Sequence, residues 1–234
     1  MRTDIEGVAF DLDGTLYPNF KLYKKIIPVL LKELPLMIAF GKARNIIREE
    51  QGTSPNYPLE DFYTYQAEFT AKILKLKQYH VKEKIDRIIY TGWEPLFKNI
   101  KLFTNAAETL YALKEAGYKT GLLSDFPAEK KLENLGIAGG GDSNLWDAVL
   151  CSEHYGVLKP HPLPFNELAR AMALPAGKIL YVGNNRSYDV AGAHIAGMKT
   201  AWIKSPFSRG KGCNQPPPGF CFSNYRQLYD YMLN

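Results

Sequence analysis

The sequence predicts an α/β protein: a doubly wound, parallel sheet with a helical subdomain inserted after its first strand. Three observations carry that expectation. A short apolar run, Ile5 to Phe10, suits a buried strand and stops at Asp11. From Asn19 to about Lys98 apolar residues recur only at helical spacing. Beyond Lys98 short apolar runs alternate with helical stretches, as parallel strands joined by crossover helices require. The expected division is residues 1–18 with 99–234 as the sheet-centred core and 19–98 as the helical insert.

Element by element, the first strand gives way to a turn forced by Gly14. In the insert, Ile26, Val29 and Leu30 mark one helix, Ile46 and Ile47 a second, and Phe62, Tyr65, Phe69 and Ile73 a third. Gly41, Gly52, Pro55 and Pro58 punctuate them, and the Phe62–Tyr65–Phe69 stripe reads as helix core. Hinges are expected near Leu16–Asn19 and Lys98–Phe103. Asn105 followed by Glu108 resembles a capping box, Leu110 and Leu113 continue that helix, and Gly117 ends it. Lys119 to Leu123 is a strand, and Pro127 suits the first turn of a helix. Asp147 to Cys151, Lys178 to Val182 and Thr200 to Ile203 are further strands; Leu163 to Met172, Ser187 to Ala196 and Ser223 to Leu233 are helices. Ser205 to Gly219, rich in Gly, Pro and Ser, reads as a loop, and Ser208-Arg209-Gly210-Lys211 within it as a solvated stretch.

Composition narrows the class. At 46% hydrophobic and 23% charged residues over 234 positions, the chain can bury a real core. The longest apolar stretch, Ile26 to Phe40, is broken by Pro28, Lys32, Glu33 and Pro35, too short and too interrupted to span a bilayer. Met1-Arg2-Thr3-Asp4 lacks the apolar core of a signal peptide, so the expected location is cytoplasmic. Cys151, Cys213 and Cys221 form no CxxC pair and read as small apolar fillers in a reducing compartment. The net charge of +5 resides between Tyr17 and Lys98, with 14 Lys and Arg against 9 Asp and Glu. Solvated helix faces are its plain reading, although such a segment beside a site attracts anions. No long basic run or stacking motif suggests nucleic acid, and nothing in the sequence specifies an oligomeric state. His80, His154, His161 and His194 show no metal-ligand spacing; His161 stands near Lys159 and is within reach of a substrate contact.

Four polar clusters sit at or just beyond the carboxyl ends of expected strands, where open α/β sheets bind ligands. They are Asp11-Leu12-Asp13-Gly14-Thr15-Leu16, Ser124-Asp125, Lys159 in Gly156-Val157-Leu158-Lys159-Pro160, and Gly183-Asn184-Asn185-Arg186-Ser187-Tyr188-Asp189. These residue types suit phosphoryl transfer. A carboxylate can attack phosphorus to give an acyl phosphate, and a second one two residues on can act as acid and base. A buried lysine and a hydroxyl can hold phosphate oxygens, and Mg²⁺ between carboxylate and phosphate relieves their repulsion.

With these motifs in this order, the chain resembles the haloacid dehalogenase-like hydrolase superfamily, in its helical-cap phosphatase branch. Asp11 to Thr15 matches the DxDGT signature, Ser124 the second motif, Lys159-Pro160-His161-Pro162 the third, and the stretch ending at Asp189 the fourth. The resemblance implies a Rossmann-like core, the insert as cap, and hydrolysis of a small phosphorylated metabolite with Mg²⁺. It implies Asp11 as nucleophile and metal ligand, and Asp13 as acid/base with its carbonyl on the metal. Gly14 and Thr15 would shape the loop, with Thr15 orienting Asp13; Ser124 would bind phosphate, Lys159 would pair with Asp11 and the transferring phosphoryl group, and Asp189 would support the metal or Lys159. Two positions depart from the pattern. Asn184 stands where an aspartate commonly ligates Mg²⁺, and Asp125 where the phosphate-binding motif usually has asparagine. Asn184 is still grouped with the metal ligands. Asp125 is grouped with the phosphate binders, or else caps the following helix. A haloacid dehalogenase and a phosphate-binding relative without turnover are the rival expectations. Asp13 argues against the first, and Asn184 is the feature that favours the second.

Overall fold

The computed structural model describes residues 2–54, 57–138, 144–204 and 216–234. Among them, six strands form one all-parallel sheet in the order β3-β2-β1-β4-β5-β6. The strands are β1 (Gly7–Phe10), β2 (Lys119–Ser124), β3 (Ala148–Cys151), β4 (Ile179–Gly183), β5 (Lys199–Ile203) and β6 (Phe220–Phe222). The chain reverses its direction of travel at β1, between β2 and β4, and that switch opens a crevice at the carboxyl ends of the strands.

Period-two alternation gives each sheet face its own core. Val8, Phe10, Leu122, Leu180 and Val182 point into one cluster with Leu110, Leu113, Leu132, Leu228 and Met232. Those partners come from α5 (Ala106–Glu115), α6 (Glu129–Leu135) and α9 (Tyr225–Leu233). Ala9, Leu123, Ile179 and Tyr181 point the other way, against Phe165, Leu168 and Ala193 of α7 (Pro162–Ala171) and α8 (Ala191–Ile195). Helices thus cover both faces, which is why every residue of β1 is buried.

Between β1 and α5 the described residues form helices joined by loops, with no strand of the sheet: α1 (Asn19–Lys32), α2 (Leu34–Glu50), α3 (Phe62–Leu74) and α4 (Gln78–Ile85). Pro35 sits in the first turn of α2, where its missing N–H costs nothing. Asp61 caps α3 by accepting from the Thr64 amide. A π-helical turn, Asp86–Thr91, prolongs α4. These helices close over a separate apolar cluster that includes Leu36, Phe40, Ala67, Val81, Ile85 and Ile89. No helix among the described residues is long and apolar enough to cross a membrane.

Several expectations are corrected. α3 buries Phe62, Gln66, Ala67, Thr70 and Ala71, leaving Tyr65 and Phe69 only partly covered. Phe62 thus keeps its expected place on the buried face, while Tyr65 and Phe69 flank it. Asn105 lies in the left-handed region and bonds the Glu108 side chain instead of closing a capping box. Pro127 precedes α6 rather than opening it. Ser187 to Ala196 divides into a π-helical turn, Arg186–Val190, and α8. Strand β6, directly after Gly219, was not expected; its three residues are too few to show a period. Cys151 is buried as anticipated, but Cys221 is exposed. Cys213 and Ser208-Arg209-Gly210-Lys211 lie outside the described residues.

Candidate active site

The sheet brings all four polar clusters to one edge. Asp11 leaves β1 with its amide donating to the Val182 carbonyl at 2.9 Å. The following loop is pinned from beneath, because Leu12, Leu16 and Tyr17 are fully buried and Tyr225 Oη donates to the Thr15 carbonyl at 2.7 Å. Gly14 has φ +87°, and a Cβ there would collide with the side-chain amides of Asn184 and Asn19. Only glycine makes this turn without strain.

Lys159 is the hub. Its Nζ donates to Asp11 Oδ1 and Asp189 Oδ1, both at 2.6 Å, and lies 3.4 Å from the Leu123 carbonyl and Tyr181 Oη. Thr15 Oγ1 donates to Asp11 Oδ2 at 2.7 Å, so Thr15 orients Asp11, where Asp13 was the expected partner. Asp189 Oδ2 accepts from the backbone amides of Asn184 (3.1 Å) and Asn185 (2.9 Å). Asp189 therefore supports Lys159 and the fourth loop. Gly183 is needed there, since a Cβ would run into Asp189. Burial pushes the Asp11 carboxyl up to about 7, with Asp189 adding to the rise and Lys159 opposing it. Burial alone would lower the Lys159 ammonium, but Asp11 and Asp189 outweigh it and hold it well above its usual range. The lysine stays charged, and one cation faces two buried carboxylates.

Asp13 turns away from this hub. Its carboxylate accepts from Tyr17 Oη and from Lys131 Nζ of α6 at 3.0 Å, and it lines a cavity of about 620 Å³. Its carbonyl accepts from Asn184 Nδ2 at 3.2 Å and Asn19 Nδ2 at 3.5 Å. Ser124 Oγ, at the end of β2, accepts from the Phe126 amide at 3.1 Å.

Asp125 is not a helix cap, since α6 begins beyond Ala128 without one. Its carboxylate accepts from Arg48 Nη2 (2.8 Å), Ser152 Oγ (2.6 Å) and the Lys159 amide (3.0 Å). An anion so fully engaged is not free to meet a phosphate with its carboxylate. Arg48 also donates to the Lys159 carbonyl at 3.0 Å, and Gln51 bonds Leu158 on both its backbone groups. His161 Nδ1 caps α7 by accepting from the Leu163 amide at 3.2 Å.

Sequence reasoning missed Tyr17, Lys131, Arg44 and Arg48. For α2 a signal was present, because Arg44, Arg48 and Gln51 follow at spacings that share one helical face. Arg44 meets Glu153 on that face in a buried ion pair. Lys131 carried no such signal; it reaches Asp13 only through the packing of α6.

Comparison with known proteins agrees with this geometry. The family model described as haloacid dehalogenase-like hydrolase matches residues 5–197. A glyceraldehyde 3-phosphate phosphatase of Methanopyrus kandleri is 27% identical over 233 residues, covering 97% of this chain and 96% of that protein. A phosphoglycolate phosphatase of Haemophilus influenzae is 25% identical over 228 residues, covering 97% and 98% respectively. The solved L-2-haloacid dehalogenase of Xanthobacter autotrophicus superposes with a TM-score of 0.68 at 17% identity, covering 97% of each chain, a likeness of fold alone.

Proposed function

Given that the chain belongs to the haloacid dehalogenase-like hydrolase family, we propose that it is a phosphatase that hydrolyses phosphate monoesters through a phosphorylated Asp11. The observation that carries this reading is the division of labour between two carboxylates. Asp11 is drawn to Lys159 at the sheet edge, whereas Asp13 points into the cavity. Asp11 attacks phosphorus while Asp13 gives its proton to the departing ester oxygen, so that the P–O bond breaks and the alcohol leaves. Asp13 then takes a proton from water as the water attacks the acyl phosphate, releasing inorganic phosphate and restoring Asp11. Lys159 and the Ser124 hydroxyl hold the phosphoryl oxygens. Tyr17 and Lys131 fix the Asp13 carboxylate on the leaving-group side. Both phosphatase-named relatives align over nearly the whole chain.

The donor set suits Mg²⁺. Among the described residues no three His, Cys, Asp or Glu side chains gather as a full protein cage. Mg²⁺ asks for less, being bound through one or two carboxylates with retained waters and the substrate phosphate. The deficit of one lysine against two buried carboxylates calls for a further cation. Asp11, the Asp13 carbonyl and the Asn184 amide oxygen would hold it, with Asp189 supporting from behind through the Asn184 backbone. Bound there, the ion neutralises phosphate charge. Asn184 offers no full charge, so binding is weaker than with an aspartate. Residues 19–98 serve as a cap that closes over the site and excludes water.

Phosphate release from a panel of monoesters, with and without Mg²⁺, tests the reading directly. Wild-type protein should release phosphate only with the metal. Acid-quenched mass spectrometry should find one phosphoryl group on Asp11. Halide release from 2-haloacids with no phosphate release would replace it with a dehalogenase.

A further inference from the structure

A general acid protonates the leaving-group oxygen, so the organic part of the substrate must lie on the Asp13 side of the phosphate. The cavity opens there. It is walled by Phe40 of α2, Tyr90 of the π-helical turn, Trp93, Phe97 and Phe126. Phe126 stacks on Phe40 at 6.4 Å and 25° and meets Tyr90 at 6.0 Å, and the Arg44 guanidinium lies 4.2 Å from the Phe126 ring centre, so part of the wall is a joined aromatic cluster with one cation against it. Its volume of about 620 Å³ falls in the middle of the range for pockets that enclose drug-sized ligands. At the roughly 30 Å³ that a water molecule claims, a leaving group of about five heavy atoms would need only about 150 Å³.

Two lining residues carry buried donors that make no hydrogen bond, Arg44 Nη2 and Trp93 Nε1, although Arg44 Nη2 stands 3.8 Å from Asp125 Oδ2. Arg44 is 4% exposed, and its Nη1 is held by Glu153 and Gln66. An unpaired buried donor costs stability unless a ligand satisfies it. Since Glu153 and Asp125 already face the guanidinium, the fitting acceptor is a neutral oxygen, not a further carboxylate.

We propose that the substrate is the phosphate ester of a bulky, planar, largely apolar alcohol or phenol bearing a neutral acceptor oxygen, not of a two- or three-carbon acid or aldehyde. This rests on the phosphatase reading above. The apolar ring system lies against Phe40, Phe126 and Trp93, and its acceptor meets Arg44 Nη2 and Trp93 Nε1.

The test compares kcat/KM of the full chain with Mg²⁺ on 2-naphthyl phosphate, 6-acetyl-2-naphthyl phosphate, phosphoglycolate and glyceraldehyde 3-phosphate. The aryl esters should be preferred by about tenfold or more, chiefly through KM, with the acetyl ester best. Trp93→Ala should lower kcat/KM for the aryl esters about tenfold more than for phosphoglycolate. Trp93→Phe, which keeps a ring and removes the donor, should erase only the advantage of the acetyl ester. A preference for phosphoglycolate, or an equal loss on all esters in Trp93→Ala, overturns the proposal. If no ester is turned over, the phosphatase reading fails separately. Calorimetric titration with (naphthalen-2-ylmethyl)phosphonate, whose C–P bond cannot be hydrolysed, then decides. Saturable binding weakened about tenfold by Trp93→Ala upholds the aromatic site, and no binding removes it.

Discussion

Replacing Asp125 by alanine isolates the network that sets the position of Lys159. The Asp125 side chain is 12% exposed and that of Arg48 14%, so the pair is largely removed from water. The substitution deletes the acceptor of Arg48, Ser152 and the Lys159 amide together. Removing one partner of a buried ion pair costs about 3–5 kcal/mol, because the other charge stays buried and uncompensated. That is a large share of the roughly 5–15 kcal/mol that holds a domain folded. Burial would by itself raise the Asp125 carboxyl, but Arg48, Lys159 and Arg44 outweigh it and hold it below the usual carboxylate range. A carboxyl with a lowered folded-state pKa stabilises fully above its unfolded value of about 4 and loses that contribution as pH falls through the folded value. The stability gap between wild type and variant, measured by urea unfolding, should be level between about pH 5 and 8 and narrow below about 4. Adding Arg48→Met should recover about 1 kcal/mol or more by removing the stranded charge. A loss under about 1 kcal/mol at pH 7, or no recovery in the double variant, would show that Arg48 is solvated and that the network is not structural.

The other expectations are simpler to read. Asp11→Asn should eliminate both turnover and the phosphorylated protein, whereas Asp13→Asn should leave at most slow phosphorylation of Asp11; near wild-type turnover in the second variant would remove Asp13 from its acid/base role. Asn184→Asp should tighten Mg²⁺ binding in calorimetry and lower the Mg²⁺ needed for half-maximal rate, and an unchanged affinity would mean that position 184 does not face the ion. Gly14→Ala should lose more than about 1 kcal/mol in thermal or urea unfolding along with activity, since its φ of +87° is joined to a collision with Asn184 and Asn19. Retained stability there would mean that the loop relaxes around the methyl group.

Where local pattern and tertiary need coincided, the sequence was legible. Val8 and Phe10 against Ala9 announce a strand with two buried faces, and Asp11 after them announces a strand end. The same holds for Ser124 and for the loop that reaches Asp189. Local rules misled where packing competed with them. Of the Phe62–Tyr65–Phe69 stripe only Phe62 is buried; Tyr65 and Phe69 leave the rest of the core face of α3 to Gln66, Ala67, Thr70 and Ala71. Asp125 looked like a helix cap because it precedes a helix, yet it was taken by an arginine 77 residues earlier in the chain.

By itself the sequence determined the alternation of strands and helices, the helical stretch between them and the four polar clusters, because these are matters of neighbours a few residues apart. A parallel sheet then leaves little freedom, since it must put every strand's carboxyl end on one edge. Only the tertiary structure decided what each carboxylate faces. Asp11 meets a lysine 148 residues away and Asp13 a lysine 118 residues away, while the aromatic wall beside Asp13 is assembled from α2, the π-helical turn and the loop after β2. Such partners are selected by shape and burial across the whole fold, and no spacing along the chain encodes them.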